Sequence, residues 1–92
     1  MFTLSKNKFV QYYAELGGPD GTERVLIGEM GELITALMDA HRGNKNERNV
    51  IEEIVDVIVC INTFCYSHGI TSDSLIDDFQ SRLVPRFLKA IE

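Results

Sequence analysis

The chain reads as all-α, an up-down bundle of four helices. Apolar residues recur at spacings of three and four. Glycine-rich or polar punctuation divides the chain into four segments, and no stretch alternates convincingly with period two. Ninety-two residues make one domain, 1–92, at the small end of what folds alone.

The first expected helix covers residues 5–16, with Phe9, Tyr12, Tyr13 and Leu16 at helical spacing and core packing as their expected role. Gly17-Gly18-Pro19-Asp20-Gly21 then breaks the chain. The second helix is expected over 22–42, with Thr22 or Asp20 as N-cap and Gly43 as the stop. Its apolar stripe is Leu26, Met30, Leu33, Ile34 and Leu37, and Glu29 and Glu32 lie at the edge of it. A short polar linker, Gly43 to Arg48, leads to the third helix, which begins at Asn46 or Asn49 and ends at His68 before Gly69. Asn49 and Glu52 are a candidate capping pair at its start. This helix is apolar nearly all round, so it should be central. Covering it within so small a chain is difficult, and a homo-oligomer, dimer at least, is expected. The last helix starts from Thr71 or Ser72 and runs to about residue 90, with Pro85 kinking or locally breaking it.

Composition narrows the function classes. The net charge is −5 and there is no Trp, which argues against a nucleic-acid platform. The longest apolar run, around Val57 to Ile61, is too short for a bilayer, and Met1-Phe2-Thr3-Leu4 leads into Ser5-Lys6-Asn7-Lys8 without a signal-peptide pattern. A cytoplasmic protein is the expectation. Cys60 and Cys65 are five apart on one helix and cannot bridge each other; reduced core thiols are expected.

The chemistry concentrates in four acids. Glu29 and Glu32 are an i, i+3 pair on the second helix, and Glu53 and Asp56 are another on the third. The second pair sits in Val50-Ile51-Glu52-Glu53-Ile54-Val55-Asp56-Val57-Ile58-Val59, where a carboxylate is costly to bury unless something positive meets it. Two antiparallel helices presenting such pairs can surround a divalent cation with oxygen ligands. Oxygen-only donors favour Mg²⁺ or Mn²⁺ over zinc. The plainer alternative is a solvated acidic face, common on amphipathic helices. A di-iron carboxylate bundle would want Glu-x-x-His ligands, and there are none.

Gly28-Glu29-Met30-Gly31-Glu32-Leu33, followed by Glu53-Ile54-Val55-Asp56-Val57-Ile58, resembles the MazG-like branch of the all-α nucleoside triphosphate pyrophosphohydrolases. The likeness covers roughly residues 26–87. It implies a single-domain member that hydrolyses a nucleoside or deoxynucleoside triphosphate to the monophosphate and pyrophosphate in nucleotide-pool cleaning. It also implies Glu29, Glu32, Glu53 and Asp56 as Mg²⁺ ligands. The cation's chemistry would be neutralisation of phosphate charge and activation of water, with no nucleophilic side chain. The pattern departs from the family at Gly28, where the family carries its first Glu.

Phosphate contacts should come from cations: Lys45 and Arg48 in the linker, or Arg82, Arg86 and Lys89 on the last helix. Surface solvation is the ordinary role of each. Asn62 is a candidate for reading a base edge, with a satisfied core amide as the alternative. Gly28 and Gly31 would let another helix approach closely. The partners expected are a nucleotide and further copies of the chain, as homodimer or homotetramer, with no nucleic acid and no membrane. The competing reading is a non-catalytic helical oligomerisation or regulatory module that keeps the fold and the metal site.

Overall fold

The structure, a computed structural model, describes residues 6–43 and 46–92 and is all-helical, with no strand among those residues. Helix α1 spans Lys8–His41, α2 spans Glu47–Ser67, and a C-terminal arm is formed by α3 (Ser72–Asp78), a π-helical turn (Phe79–Leu83) and α4 (Val84–Ala90). No described helix is long and apolar enough to cross a membrane.

Helix α1 joins the first two expected helices. The Asn7 side chain caps its start, accepting from the Phe9 amide at 2.8 Å. The break is confined to Gly18, whose φ of 68° and ψ of −179° are non-helical. Only glycine takes that conformation without strain. Helix resumes at Pro19 rather than at Thr22, because proline is pre-organised for a first turn and needs no N–H there. Thr22 therefore is not an N-cap; its hydroxyl donates back to the Gly18 carbonyl at 2.9 Å.

The start of α2 also differs in detail. Asn46 is the cap, accepting from the Asn49 amide at 3.1 Å, and Glu52 pairs with Arg48 instead of with Asn49. At its end Gly69 takes φ 67°, Ile70 N–H donates to the Cys65 carbonyl at 2.9 Å and Gly69 N–H to that of Tyr66 at 3.3 Å. This is a Schellman closure, and it fixes the direction in which the chain leaves α2. Thr71 caps α3, accepting from the Ser74 amide.

The last helix is locally interrupted before Pro85, as expected, by a π-turn rather than by a full stop. That turn closes Val84 N–H onto the Phe79 carbonyl, five residues back, so the ladder absorbs the donor that proline lacks.

Helices α1 and α2 pack as an antiparallel pair, with Tyr66 meeting Glu15 at one end and Asn49 lying beside Asp39 at the other. Shielded positions of α1 include Thr22, Leu26, Glu29, Leu33, Ala36 and Ala40, and those of α2 include Val50, Glu53, Val57, Cys60 and Phe64. Spacings alternate between three and four, the seam of a coiled-coil-like pair. The apolar face expected on the second helix is thus displaced: Met30, Ile34 and Leu37 flank the seam and are about half exposed. Helical geometry gives the pair two unlike flanks. One carries Gly28, Glu32, Asp39, Asn49 and Asp56, the other Met30, Ile34, Leu37, Ile51 and Ile54.

A single copy buries little. Among the described residues the fully buried apolar side chains are Val10, Ala14, Ala36, Val57 and Cys65. Phe9, Tyr12, Tyr13 and Leu16 are exposed, so the core role expected of them is not filled within one chain. The arm packs on itself and scarcely on α1 or α2. The radius of gyration is 15.7 Å, against about 12 Å for a compact chain of this length.

Candidate functional site

The seam brings three of the four singled-out acids together. One carboxylate oxygen each of Glu29, Glu53 and Asp56 lies within 4.8 Å of the others. Oxygens that close could share one divalent cation. Glu32 stands beside them within hydrogen-bonding reach of both Glu29 and Glu53. Glu29 and Glu53 occupy seam positions, where each keeps one oxygen (Oε2) shielded from solvent with no hydrogen-bond partner. Glu32 and Asp56 lie on the exposed acidic flank.

The electrostatics follow from that placement. The carboxyl of Glu29 is raised above the ordinary carboxylate range, first by burial and then by the charge of Glu32, with Asp56 and Glu53 adding to it. Glu53 is raised for the same reasons, burial first, then Glu32 and Asp56. Each group gains from taking up a proton or meeting a cation. No Lys or Arg is paired with Glu29, Glu32, Glu53 or Asp56 among the described residues. The donor set therefore suits a hard divalent cation, and it is the carboxylates themselves that would hold it. Cys60, next along the α2 seam, keeps its proton: burial raises its thiol, and Glu29 and Asp56 raise it further. Cys65 is raised by burial, and both cysteines are free. Neither has the electropositive surroundings of a reactive thiol.

An open cleft of about 510 Å³ adjoins the carboxylates on the acidic flank, with Gly28, Gly31, Thr35 and Asn49 along it beside Glu32 and Glu53. Thr35 and Asn49 were not singled out by motif. The signal that marks them is positional, Thr35 three residues beyond Glu32 and Asn49 four before Glu53. Gly28 and Gly31 do not serve a close helix approach within the chain, because a Cβ at either would meet nothing within 4 Å. Gly28→Ala should therefore stabilise by about 1 kcal/mol through helix propensity. Thermal melts would register this as a rise of a few degrees, and a lower melting temperature would mean that something closes onto Gly28.

The expected substrate-binding residues are not gathered at this cleft. Arg48 is exposed and pairs with Glu52 at 2.9 Å. Arg82 lies on the arm, paired with Asp78 at 3.5 Å, and Arg86 lies further along the same arm. Lys45 falls outside the described residues. Asn62 is wholly buried, its amide nitrogen donating to the Ile58 carbonyl at 2.8 Å. Its Oδ1 is equally buried and has no hydrogen-bond partner, so the satisfied core amide expected is only half satisfied. No protein-family model, no curated protein and no solved structure matches the chain.

Proposed function

We propose that this chain is a Mg²⁺-dependent nucleoside triphosphate pyrophosphohydrolase, releasing pyrophosphate from a nucleoside or deoxynucleoside triphosphate as a MazG-like four-helix protein completed by self-association, a homodimer or homotetramer of the cytoplasm. The observation that carries the reading is the pair of seam carboxylates, Glu29 and Glu53, each with an orphaned shielded oxygen and both crowded by Glu32 and Asp56. A seam position wants an apolar side chain, and an acid there costs stability. Like-charged neighbours add to the cost. Both penalties are relieved by a divalent cation, and a cation at this place meets the adjoining cleft.

The chain's own groups divide the work. Glu29 and Glu53, fixed by the packing of two long helices, define the inner half of the donor set. Asp56 and Glu32 reach it from the solvent side, and Glu32 also lines the cleft where a polyphosphate has room. Thr35 and Asn49 offer neutral hydrogen-bonding groups along that cleft. A bound Mg²⁺ or Mn²⁺ would supply phosphate-charge neutralisation and activation of water.

Pyrophosphate release from a panel of canonical and modified NTPs and dNTPs, with Mg²⁺, Mn²⁺ or chelator, tests the reading. Metal-dependent release from at least one nucleotide is expected. Gly28 supports a second reading, a non-catalytic helical module that keeps the metal site, since that corner lacks a carboxylate and stands open. Mg²⁺-dependent thermal stabilisation with no release from any nucleotide would select it.

A further inference from the structure

We infer that the C-terminal arm of one copy docks on the apolar flank of α1–α2 of a second copy, in a reciprocal twofold exchange. The inference rests on the self-association proposed above and names the surfaces that make it. The arm presents Ile76, Phe79, Leu83 and Phe87, which are 50%, 54%, 47% and 65% exposed. Their spacings of three, four and four keep to one face, and the π-turn between Phe79 and Leu83 takes up one residue that would otherwise rotate the stripe away. Helix α1 presents Ile27, Met30, Ile34 and Leu37, all about half exposed or more. Each stripe is about 15 Å long.

Several features point to a second copy as the occupant. The arm and the flank belong to the same chain, yet the arm scarcely touches α1 or α2. The Schellman closure at Gly69 and Ile70 and the Thr71 cap hold it in that direction across a four-residue connection. The flank is grooved where Ile34, Leu37, Met38 and His41 surround a space of about 450 Å³, room for an aromatic ring of the arm. Area is sufficient as well. A half-exposed aromatic still offers on the order of 100 Å². Two such aromatics and two half-exposed aliphatic side chains per arm, about 400 Å² in all, a like area on the flank and the twofold repeat come to about 1,600 Å², the size of a stable interface. Reciprocal exchange closes the assembly and leaves no unpaired arm. The acidic flank with its cleft stays open.

The test uses the full chain and reads mass in solution by light scattering at one fixed concentration, with helix content checked by circular dichroism. The parent is expected to be a dimer or its multiple. Phe87→Asp on the arm and Ile34→Asp on the flank should each give folded monomer. Mixed in equal amounts they should recover dimer, because one arm and one flank per pair remain intact. Should either variant lose helix, Phe87→Ala and Ile34→Ala carry the same test as a weakened dissociation constant. A parent dimer untouched by these substitutions overturns the arm docking while self-association stands. Monomers that stay monomeric on mixing overturn it in favour of like-with-like pairing. A parent that is monomeric overturns both.

Discussion

Glu53→Ala is expected to abolish metal-dependent pyrophosphate release while leaving helix content unchanged. Glu53 is one of three acids whose oxygens converge within 4.8 Å, and it sits in the α2 seam. Loss of a group that merely orients a metal ligand costs about 10–100-fold, so loss of a ligand itself should exceed about 100-fold. The fold should survive, because alanine keeps the backbone hydrogen bonds of α2 and the shielded side-chain oxygen has no partner to orphan. Without metal the variant should melt higher than the parent: an acid crowded by Glu32 and Asp56 has been removed from a seam. Glu53→Gln, which keeps the shape and deletes the charge, should behave alike in both respects. Steady-state rates beside far-ultraviolet dichroism and melts in chelator would check this. Full activity in either variant would remove Glu53 from the metal site. Lost activity together with lost helix would instead mark Glu53 as structural.

The four acids were legible from sequence because their signal is local. A Glu-x-x-Glu and a Glu-x-x-Asp place their members on one face of a helix whatever surrounds them, and an acid inside a run of Val and Ile is anomalous on its own. Helix ends were legible where a single residue type decides them, as Gly69 and Thr71 do. The seam was harder to read. The most hydrophobic stripe of the second expected helix, Met30, Ile34 and Leu37, suggested the buried face, but the hairpin packs through the smaller Thr22, Ala36 and Ala40, which let two helices come close. Leu26 and Leu33 of the expected stripe do lie in the seam; Met30, Ile34 and Leu37 were left on the flank, where a single copy gives them nothing to cover. The same logic misplaced Phe9, Tyr12, Tyr13 and Leu16. Periodicity says that residues share a face; it does not say whether that face is covered by the same chain. Pro85 marked the place of the local break but not its form, because a neighbouring π-turn absorbs its missing donor and no residue type announces a π-turn. The cations were least legible. An Arg on a helix surface carries no mark of which molecule it will meet, and Arg48 and Arg82 have carboxylate neighbours one turn away.

Mg²⁺ is expected to raise the melting temperature of the parent strongly, by an amount that depends on pH in a definite sense. At a free concentration about 100-fold above its dissociation constant a ligand of the folded state stabilises by about 2.7 kcal/mol. For a domain of this size each kcal/mol moves the melting temperature by about 4–8 °C, so a rise of about 10–20 °C is expected at fixed protein concentration. The pH dependence follows from Glu29 and Glu53, whose folded-state values are raised by burial and by Glu32. An acid with a raised folded-state value binds its proton more tightly when folded. Below its ordinary unfolded-state value both states are protonated and it costs the fold nothing. As pH rises from there, through the raised value, the cost of ionising it in the seam develops, and above that value the cost is complete. The apo protein should therefore lose the contribution of these two groups as pH climbs out of the ordinary carboxylate range toward neutrality. The cation requires the ionised carboxylates, so its benefit should be largest above the raised values and should shrink as protons compete on acidification. Melting curves against pH, in Mg²⁺ and in chelator, for the parent and Glu53→Gln, separate the contributions. The parent's two curves should converge at low pH and diverge toward neutrality, while those of the variant stay close together. Superimposed parent curves at neutral pH would mean that no divalent cation relieves this cluster. A gap that widened on acidification would place the cation on other groups.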